Sequence, residues 1–363
     1  MAKSKSERVN DNAELSENVD ASMAPRLIGK PQSRLSALFE SKRLGWAALG
    51  IALILPFIIA TPYTLNVMTN AAIFVLLAAG LNIVVGYCGL LDLGYVAFMA
   101  VGAYTAGIIA KSFELPLFFT IPAVLIMTVL AGLIIGTPTL RLRSDYLAIV
   151  TLGFGEMIRL TANNLAITGG TGGIYGIPGL QLFGIELQDP VRFYYICVAI
   201  VSVFVLAAAR LGKSRLGRAW RFVREDEDAA EAMGIHTYKV KLMAYIFGAV
   251  WGGMGGVLFA AHLSAVSPQS FVFLQSALVL MAVVLGGMGN MRGVVLGAIA
   301  ITLLPEILRN FSDYRYLVFG ILLVVVMVFR PQGLWPSRAY EPERGFEGSK
   351  RSRARAAAKG QTS

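Results

Sequence analysis

Ten apolar stretches between residues 44 and 330 limit what this chain can fold into. Most have about the 17–25 residues that an α-helix needs to cross roughly 30 Å of hydrocarbon. Backbone groups inside a bilayer must bond to one another, so such stretches fold as helices. The predicted spans are 44–61, 67–87, 91–110, 115–137, 146–163, 193–210, 242–262, 272–287, 293–308 and 316–330. The sequence therefore predicts an all-α polytopic membrane protein with about ten transmembrane helices.

The two ends of the chain differ in composition from this apolar middle. Residues 1–43 mix charges of both signs with few large apolar groups, and residues 337–363 are basic. Such segments cannot bury enough apolar surface to fold alone. We expect a disordered N-terminal segment at 1–43, a transmembrane domain at 44–336 and a basic tail at 337–363.

Lysine and arginine are concentrated on one side of the predicted spans. With a cytoplasmic N-terminus and ten crossings, most of the 32 basic residues fall in inward-facing segments, as the positive-inside rule describes. Both termini and the loop at 213–241 are then cytoplasmic. The net charge of +10 follows from this orientation rather than from nucleic-acid binding, because the basic residues border apolar spans.

The loop at 213–241 is the only long charged passage between two spans. In residues 225–233, strong helix formers fill every position except two aspartates. Gly234 follows, at the position just after a helix where the left-handed backbone conformation is common. The acidic residues of the first turn suit the positive end of the helix dipole. The sequence predicts a short helix with little side-chain bulk that stands outside the membrane as a docking element.

Few polar side chains lie within the predicted spans. An ionised group at the bilayer centre costs about 2.5–3.5 kcal/mol on insertion scales, so each one is a functional candidate. Asn70, Asn82 and Asp92 are possible members of a translocation path. The alternatives are hydrogen bonds between helices for the two asparagines and a place near a helix N-terminus for Asp92. Glu156 and Arg159, three residues apart, are expected to form an ion pair.

Two sets of glycines repeat at every fourth position. Small residues at that spacing let helix backbones approach closely in a bilayer. We expect packing seams, within the chain or against another subunit, rather than a substrate site. The glycines are Gly248, Gly252 and Gly256 in one set and Gly289, Gly293 and Gly297 in the other.

No residues have catalytic or metal-binding spacing in the sequence. His236 and His262 are too far apart to share a metal ion, and Cys88 and Cys197 lie in apolar surroundings, where a free thiol acts as a small hydrophobe. Gly212-Lys213-Ser214 does not complete a Walker A loop, because Ala207 stands where its first glycine belongs. We expect a transport subunit without catalytic residues, bound metal or cofactor.

Two other classes of protein fit the sequence less well. A membrane prenyltransferase would need a second acidic cluster facing the one at 225–228 to hold Mg²⁺ and a diphosphate. An ion-coupled secondary transporter would show broken helices and an internal repeat around an ion site. Neither feature is found, and the secondary transporter stays the more distant alternative.

Six blocks of the sequence resemble, in the same order, the LivM-type permease subunits of ABC importers for branched-chain amino acids. The loop also resembles the importer pattern EAA, three residues, then Gly, with Asp228 in place of the glutamate and without the Ile-x-Leu-Pro part that follows. The blocks are GYCGLLDLGYVAFMAVGAYTAG (86–107), LRSDYLAIVTLGFGEMIRL (142–160), TGGTGGIYGIPG (168–179), REDEDAAEAMGIHTYKVK (224–241), GGMGNMRGVVLGA (286–298) and FRPQGLW (329–335).

The resemblance implies an ABC-importer permease fold whose loop helix is a coupling helix seated in an ATPase. It implies as partners a second, LivH-type permease, two cytoplasmic ABC ATPase subunits that use ATP and Mg, and a periplasmic amino-acid-binding protein. The location implied is the bacterial inner membrane. The motifs also fit permeases for urea or short-chain amides. The implied coupling residues are Asp228, Ala229, Ala230 and Gly234 at the centre, with Arg224, Glu225 and Met233 at the edge.

Overall fold

The computed structural model describes residues 50, 61–140, 144–179, 181–182, 185–186, 189–307, 320–321, 324 and 335. The chain divides into two units, Met1–Ala48 and Leu49–Ser363, and all described residues belong to the second. The predicted spans at 44–61 and 316–330 lie almost wholly outside the described residues, and the predicted ends at 1–43 and 337–363 lie wholly outside them. The count of ten spans therefore stays a prediction.

The described part of the chain is mostly helical. A π-helical segment, Asn82–Tyr87, continues the first helix, and short 3-10 turns occupy Ala166–Thr168 and Pro268–Phe271. Four two-residue strands form two antiparallel pairs: β1 (Ile174–Tyr175) with β4 (Ala265–Val266), and β2 (Gln181–Leu182) with β3 (Ile185–Glu186). The α-helices are α1 (Pro62–Leu81), α2 (Val96–Phe113), α3 (Leu117–Thr139), α4 (Ser144–Asn164), α5 (Pro190–Leu211), α6 (Arg215–Glu225), α7 (Glu227–Ala232), α8 (Thr237–Leu263), α9 (Phe273–Gly286) and α10 (Met291–Ile307).

Each predicted span from 67–87 to 293–308 falls on a helix. Among the described residues, five helices are long and apolar enough to cross a membrane: Pro62–Tyr87, Val96–Phe113, Leu117–Thr139, Pro190–Leu211 and Thr237–Leu263. Helix α9 is apolar but has only 14 residues. The span predicted at 91–110 begins too early, because α2 starts at Val96 and leaves Asp92 in the preceding turn.

Helix α8 lies at the centre of the packing. It contacts α1, α2 and α3, and its glycines allow these contacts to be close. An added Cβ at Gly248 would lie 2.4 Å from Val84 Cγ2, and one at Gly256 would lie 2.1 Å from the carbonyl oxygen of Met99. Real Cβ atoms do not approach other atoms so closely, so the backbones can meet here only because the side chains are missing.

The loops collect at two opposite ends of the helices. At one end, Asn82 bonds to the turn before α10, and the hydroxyl of Tyr238 donates to the carbonyl of Thr137 at 3.5 Å. At the other end, β1 pairs with β4, and Lys111 Nζ donates to the carbonyl of Tyr175 at 3.2 Å. This distribution is what successive crossings of a membrane produce.

Candidate functional site

The charged loop folds as two helices rather than one. The predicted helix at 225–233 is wrong in its first residues: Glu225 ends α6, and α7 begins at Glu227. Between them, Asp226 is extended, with φ −156° and ψ 110°, and its Oδ1 accepts the N–H of Ala229 at 3.0 Å. Aspartate is a strong N-cap, so this side chain ends one helix and begins the next.

The predicted glycine follows the end of helix α7, directly after the C-cap residue Met233. Gly234 has φ +85°, its N–H donates to the carbonyl of Glu231 at 2.9 Å, and the N–H of Ile235 donates to that of Ala230 at 3.0 Å. These two bonds form a Schellman motif, which needs a residue in the left-handed region. No atom lies within 4 Å of an added Cβ at Gly234, so the backbone angle alone favours glycine.

The residues proposed for docking differ in exposure. Arg224, Glu225, Asp228, Ala229, Met233 and Gly234 are exposed, and Met233 is 83% exposed. Ala230 is only 3% exposed. Its methyl group therefore packs inside its own chain and offers no surface to a partner in this conformation.

Helix α6 fixes the loop to the bundle. The side chain of Trp220 is fully buried, its Nε1 donates to the carbonyl of Val240 at 2.8 Å, and its ring stacks on Tyr87 at 6.5 Å between centroids. The guanidinium of Arg224 donates to the carbonyl of Gly86. Sequence reasoning missed this helix, although the buried Gly217, Trp220 and Val223 follow the three-residue spacing of a helix face.

An ion pair joins α7 to α8. Lys241 Nζ contacts Glu227 Oε1, and the side chain of Lys241 is 8% exposed while that of Glu227 is 48% exposed. Lysine is rarely buried to this degree without a partner. Sequence reasoning also missed this pair, because the two charges are 14 positions apart in the sequence and a turn lies between them.

The two asparagines of the first described span have different surroundings. Asn70 is exposed on α1. Asn82 is fully buried in the π-helical segment, and its Oδ1 accepts the N–H of Gly289 at 2.9 Å. An added Cβ at Gly86 would lie 1.9 Å from that oxygen. The bond of Asn82 joins the π-helical segment to the turn before α10. A role in a translocation path stays a prediction for both asparagines.

Asp92 lies in the buried turn between the π-helical segment and α2. It is 1% exposed, and its Oδ1 accepts the N–H of Gly94 at 2.9 Å. The N–H of Leu93 donates to the hydroxyl of Thr151 at 3.1 Å. The carboxylate therefore holds the turn that precedes α2, which agrees with the alternative that Asp92 lies near a helix N-terminus. Its role in transport stays a prediction.

The two glycine sets occupy close helix contacts inside the chain. In α8, an added Cβ at Gly252 would lie 2.9 Å from Phe98 Cβ. In α10, an added Cβ at Gly293 or Gly297 would lie 2.1–2.2 Å from a carbonyl oxygen of α9. Gly289 is not part of this helix surface as predicted: it lies in the turn before α10 with φ +85°.

Other polar groups singled out in the sequence include one ion pair and two cysteines. Arg159 Nε donates to Glu156 Oε2 at 2.8 Å, which confirms the predicted pair. Cys88 and Cys197 are free and buried. No group of three His, Cys, Asp or Glu side chains within the described ranges could hold a metal ion.

Known proteins similar to this chain are transport permeases. Residues 63–327 match the family model described as branched-chain amino acid transport system / permease component. The high-affinity branched-chain amino acid transport system permease protein LivM of Escherichia coli (strain K12) is 42% identical over 316 residues, which cover 80% of this chain and 74% of that protein. Its Salmonella typhimurium counterpart is 41% identical over the same length, with the same coverage.

A second type of permease is more distantly similar. The permease protein LivH of the Escherichia coli (strain K12) branched-chain amino acid system is 28% identical over 123 residues, which cover 33% of this chain and 40% of that protein. No solved structure matches the chain. Because the family model spans most of the apolar region and LivM matches four-fifths of the sequence, the chain belongs to the family of branched-chain amino acid transport system permease components.

Proposed function

We propose that this protein is an inner-membrane permease subunit of an ATP-driven ABC importer and forms part of the translocation path for branched-chain amino acids. The observation that carries the proposal is the 42% identity to a LivM permease over 80% of the chain. The helical bundle, with five helices apolar and long enough to cross a membrane among the described residues, supports it. The chain itself hydrolyses no ATP and acts only in transport.

The proposed topology has both termini and the loop at 213–241 in the cytoplasm, with ten crossings. The charge distribution supports it, because the loop carries seven basic residues and borders the ends of α5 and α8. The glycine-rich turn at 168–179 and the β1–β4 pair lie at the opposite end of the bundle, which faces the periplasm in this topology.

The proposed partners are a second permease, two ABC ATPases and a periplasmic binding protein. The similarity to a LivH permease supports a pair of related permeases that differ in sequence. ATP and Mg bind to the ATPase subunits in this assembly. Selectivity then depends in part on the binding protein, and no residue of this chain needs to hold a cofactor.

Helix α7 is the proposed coupling helix. It stands at the end of the bundle, its first turn carries Glu227 and Asp228, and most of its side chains are exposed. Asp228, Ala229 and Gly234 are the proposed central contacts with the ATPase, and Arg224, Glu225 and Met233 the edge. Ala230 contributes from inside, by letting the short helix pack closely on its own chain.

Reconstitution tests the proposal. The complete importer, formed by this chain with its second permease, ATPases and binding protein, is assembled in proteoliposomes, and uptake of labelled leucine and of labelled urea is measured with and without ATP. Leucine uptake that requires ATP and all three partner types is expected. Uptake of urea but not leucine would show that urea is the substrate. Leucine uptake without the ATPases would refute the importer assignment.

A further inference from the structure

Two charged side chains of the loop, Glu227 on α7 and Arg224 at the end of α6, contact the membrane-spanning part of the chain. The first connection is the ion pair between Glu227, at the start of α7, and Lys241, in the second turn of α8. The lysine side chain is 8% exposed, so its ammonium group has exchanged most of its water for this partner. A buried charge that loses its partner is strongly unfavourable, which makes separation of α7 from α8 costly.

The second connection runs from the end of α6 to the π-helical segment. The guanidinium of Arg224 donates to the carbonyl of Gly86. An added Cβ at Gly89, which has φ +77°, would lie 2.7 Å from Arg224 Cγ. The arginine side chain therefore lies across the end of the π-helical segment, where only glycine leaves room for it.

The π-helical segment also contacts a second turn of the chain. Asn82, four residues before Gly86, accepts the N–H of Gly289 in the turn between α9 and α10. A Cβ at Gly86 would also lie 2.7 Å from Gly289 N. π-helical turns are uncommon and occur frequently at functional sites. This one contacts both the charged loop and a turn that lies 207 residues from Asn82 in sequence.

The ion pair lies close to the same segment. Burial raises the pKa of Cys88, the residue after the π-helical segment, to about 12, while Lys241 opposes and Glu227 adds to the rise. Both charges thus act on the end of the π-helical segment, beside the Arg224 contact. The ion pair and the Arg224–Gly86 contact therefore both lie near the end of the π-helical segment.

We propose that Lys241 is a positioning residue that, through its ion pair with Glu227, makes α7 and α8 move together and so carries ATPase movement into the bundle beside the Arg224–Gly86 contact. This rests on the proposed coupling role of α7 and extends it to a residue outside the docking surface. Lys241 touches neither nucleotide nor substrate. Its function is to keep a six-residue helix from moving independently of the membrane helix that follows it.

The test compares Lys241→Met with Lys239→Met in the assembled importer. The control removes the same group from an exposed lysine two residues away. Leucine taken up per ATP hydrolysed is measured in proteoliposomes, after copurification has established that each complex is intact. We expect Lys241→Met to assemble and to lower this ratio about two- to thirtyfold, the usual range for residues that carry coupling, while Lys239→Met keeps the wild-type ratio.

A double-mutant cycle makes the test specific for the pair. Glu227→Gln alone should also lower the ratio, and Glu227→Gln with Lys241→Met should be no worse than the more impaired single variant, because both remove one interaction. Additive losses, a wild-type ratio in Lys241→Met, or failure of that variant to assemble would each overturn the proposal. If instead the wild-type complex shows no ATP-driven uptake, the proposed function fails first.

Discussion

The C-terminal glycine of α7 allows the coupling proposal to be tested through backbone strain alone. Gly234 has φ +85°, and an added Cβ there would have no atom within 4 Å. Gly234→Ala therefore causes no clash, and its cost is the left-handed backbone of an L-residue, about 1–2 kcal/mol. That energy corresponds to roughly a 5–30-fold change in the ratio of ordered to disordered helix.

Helix α7 is sensitive to such a change because of its length. It has six residues, and isolated helices shorter than about 12–15 residues are marginal in water. We expect Gly234→Ala to reduce ATP hydrolysis stimulated by the loaded binding protein by a similar factor, and Gly234→Val to abolish it. Gly234→Asn should retain more activity than Gly234→Ala, because asparagine tolerates the left-handed region better.

A matched control lies at the other end of the bundle. Gly176 has φ +71° and also has no atom within 4 Å of an added Cβ, so Gly176→Ala imposes the same strain without touching the charged loop. The assay is ATP hydrolysis by the reconstituted complex, with insertion and assembly checked by copurification. Normal stimulated hydrolysis in Gly234→Val, or an equal loss in Gly176→Ala, would refute the reasoning.

Three further substitutions test other parts of the structure. Ala230→Leu places a large side chain at a 3% exposed position and should destabilise the packing of α7 by about 1–3 kcal/mol, seen as weaker copurification of the ATPases; unchanged copurification would contradict the burial. Asp92→Asn keeps the acceptor for Gly94 N–H and should leave leucine uptake largely intact, whereas complete loss would indicate a proton or cation site. Gly256→Ala places a Cβ 2.1 Å from a backbone oxygen and should greatly reduce recovery of folded protein. Its control is Gly153→Ala, which has no atom within 4 Å of the added Cβ and should be recovered like the wild type. Equal recovery of the two variants would contradict the close packing of α8.

Hydrophobic length predicted the apolar helices among the described residues because the bilayer requirement is simple. A stretch long enough to cross hydrocarbon must satisfy its own backbone groups, and every predicted span within the described residues is helical. Boundaries were less predictable. Asp92 was assigned to a span because its neighbours are apolar, yet the side-chain bond to Gly94 holds it in the turn before α2.

The loop shows how local and long-range signals differ. Gly234 could be predicted because the left-handed region selects glycine directly. The break at Asp226 was missed, because aspartate is only a modestly poor helix former. It acts as an N-cap only where the loop folds as two helices rather than one. The ion pair of the buried Lys241 with Glu227 and the π-helical segment depend on contacts between distant parts of the chain, which no periodic pattern in the sequence encodes.

The position of α7 relative to the ATPase can be measured directly by photocrosslinking. A photoreactive amino acid replaces Met233, which is 83% exposed on the loop, or Tyr175, which is 60% exposed at the opposite end, and the complete importer is irradiated in sealed membranes. The account predicts adducts with an ATPase subunit from position 233 and none from position 175. ATPase adducts from position 175, or labelling of position 233 by a membrane-impermeant reagent added outside intact cells, would contradict it.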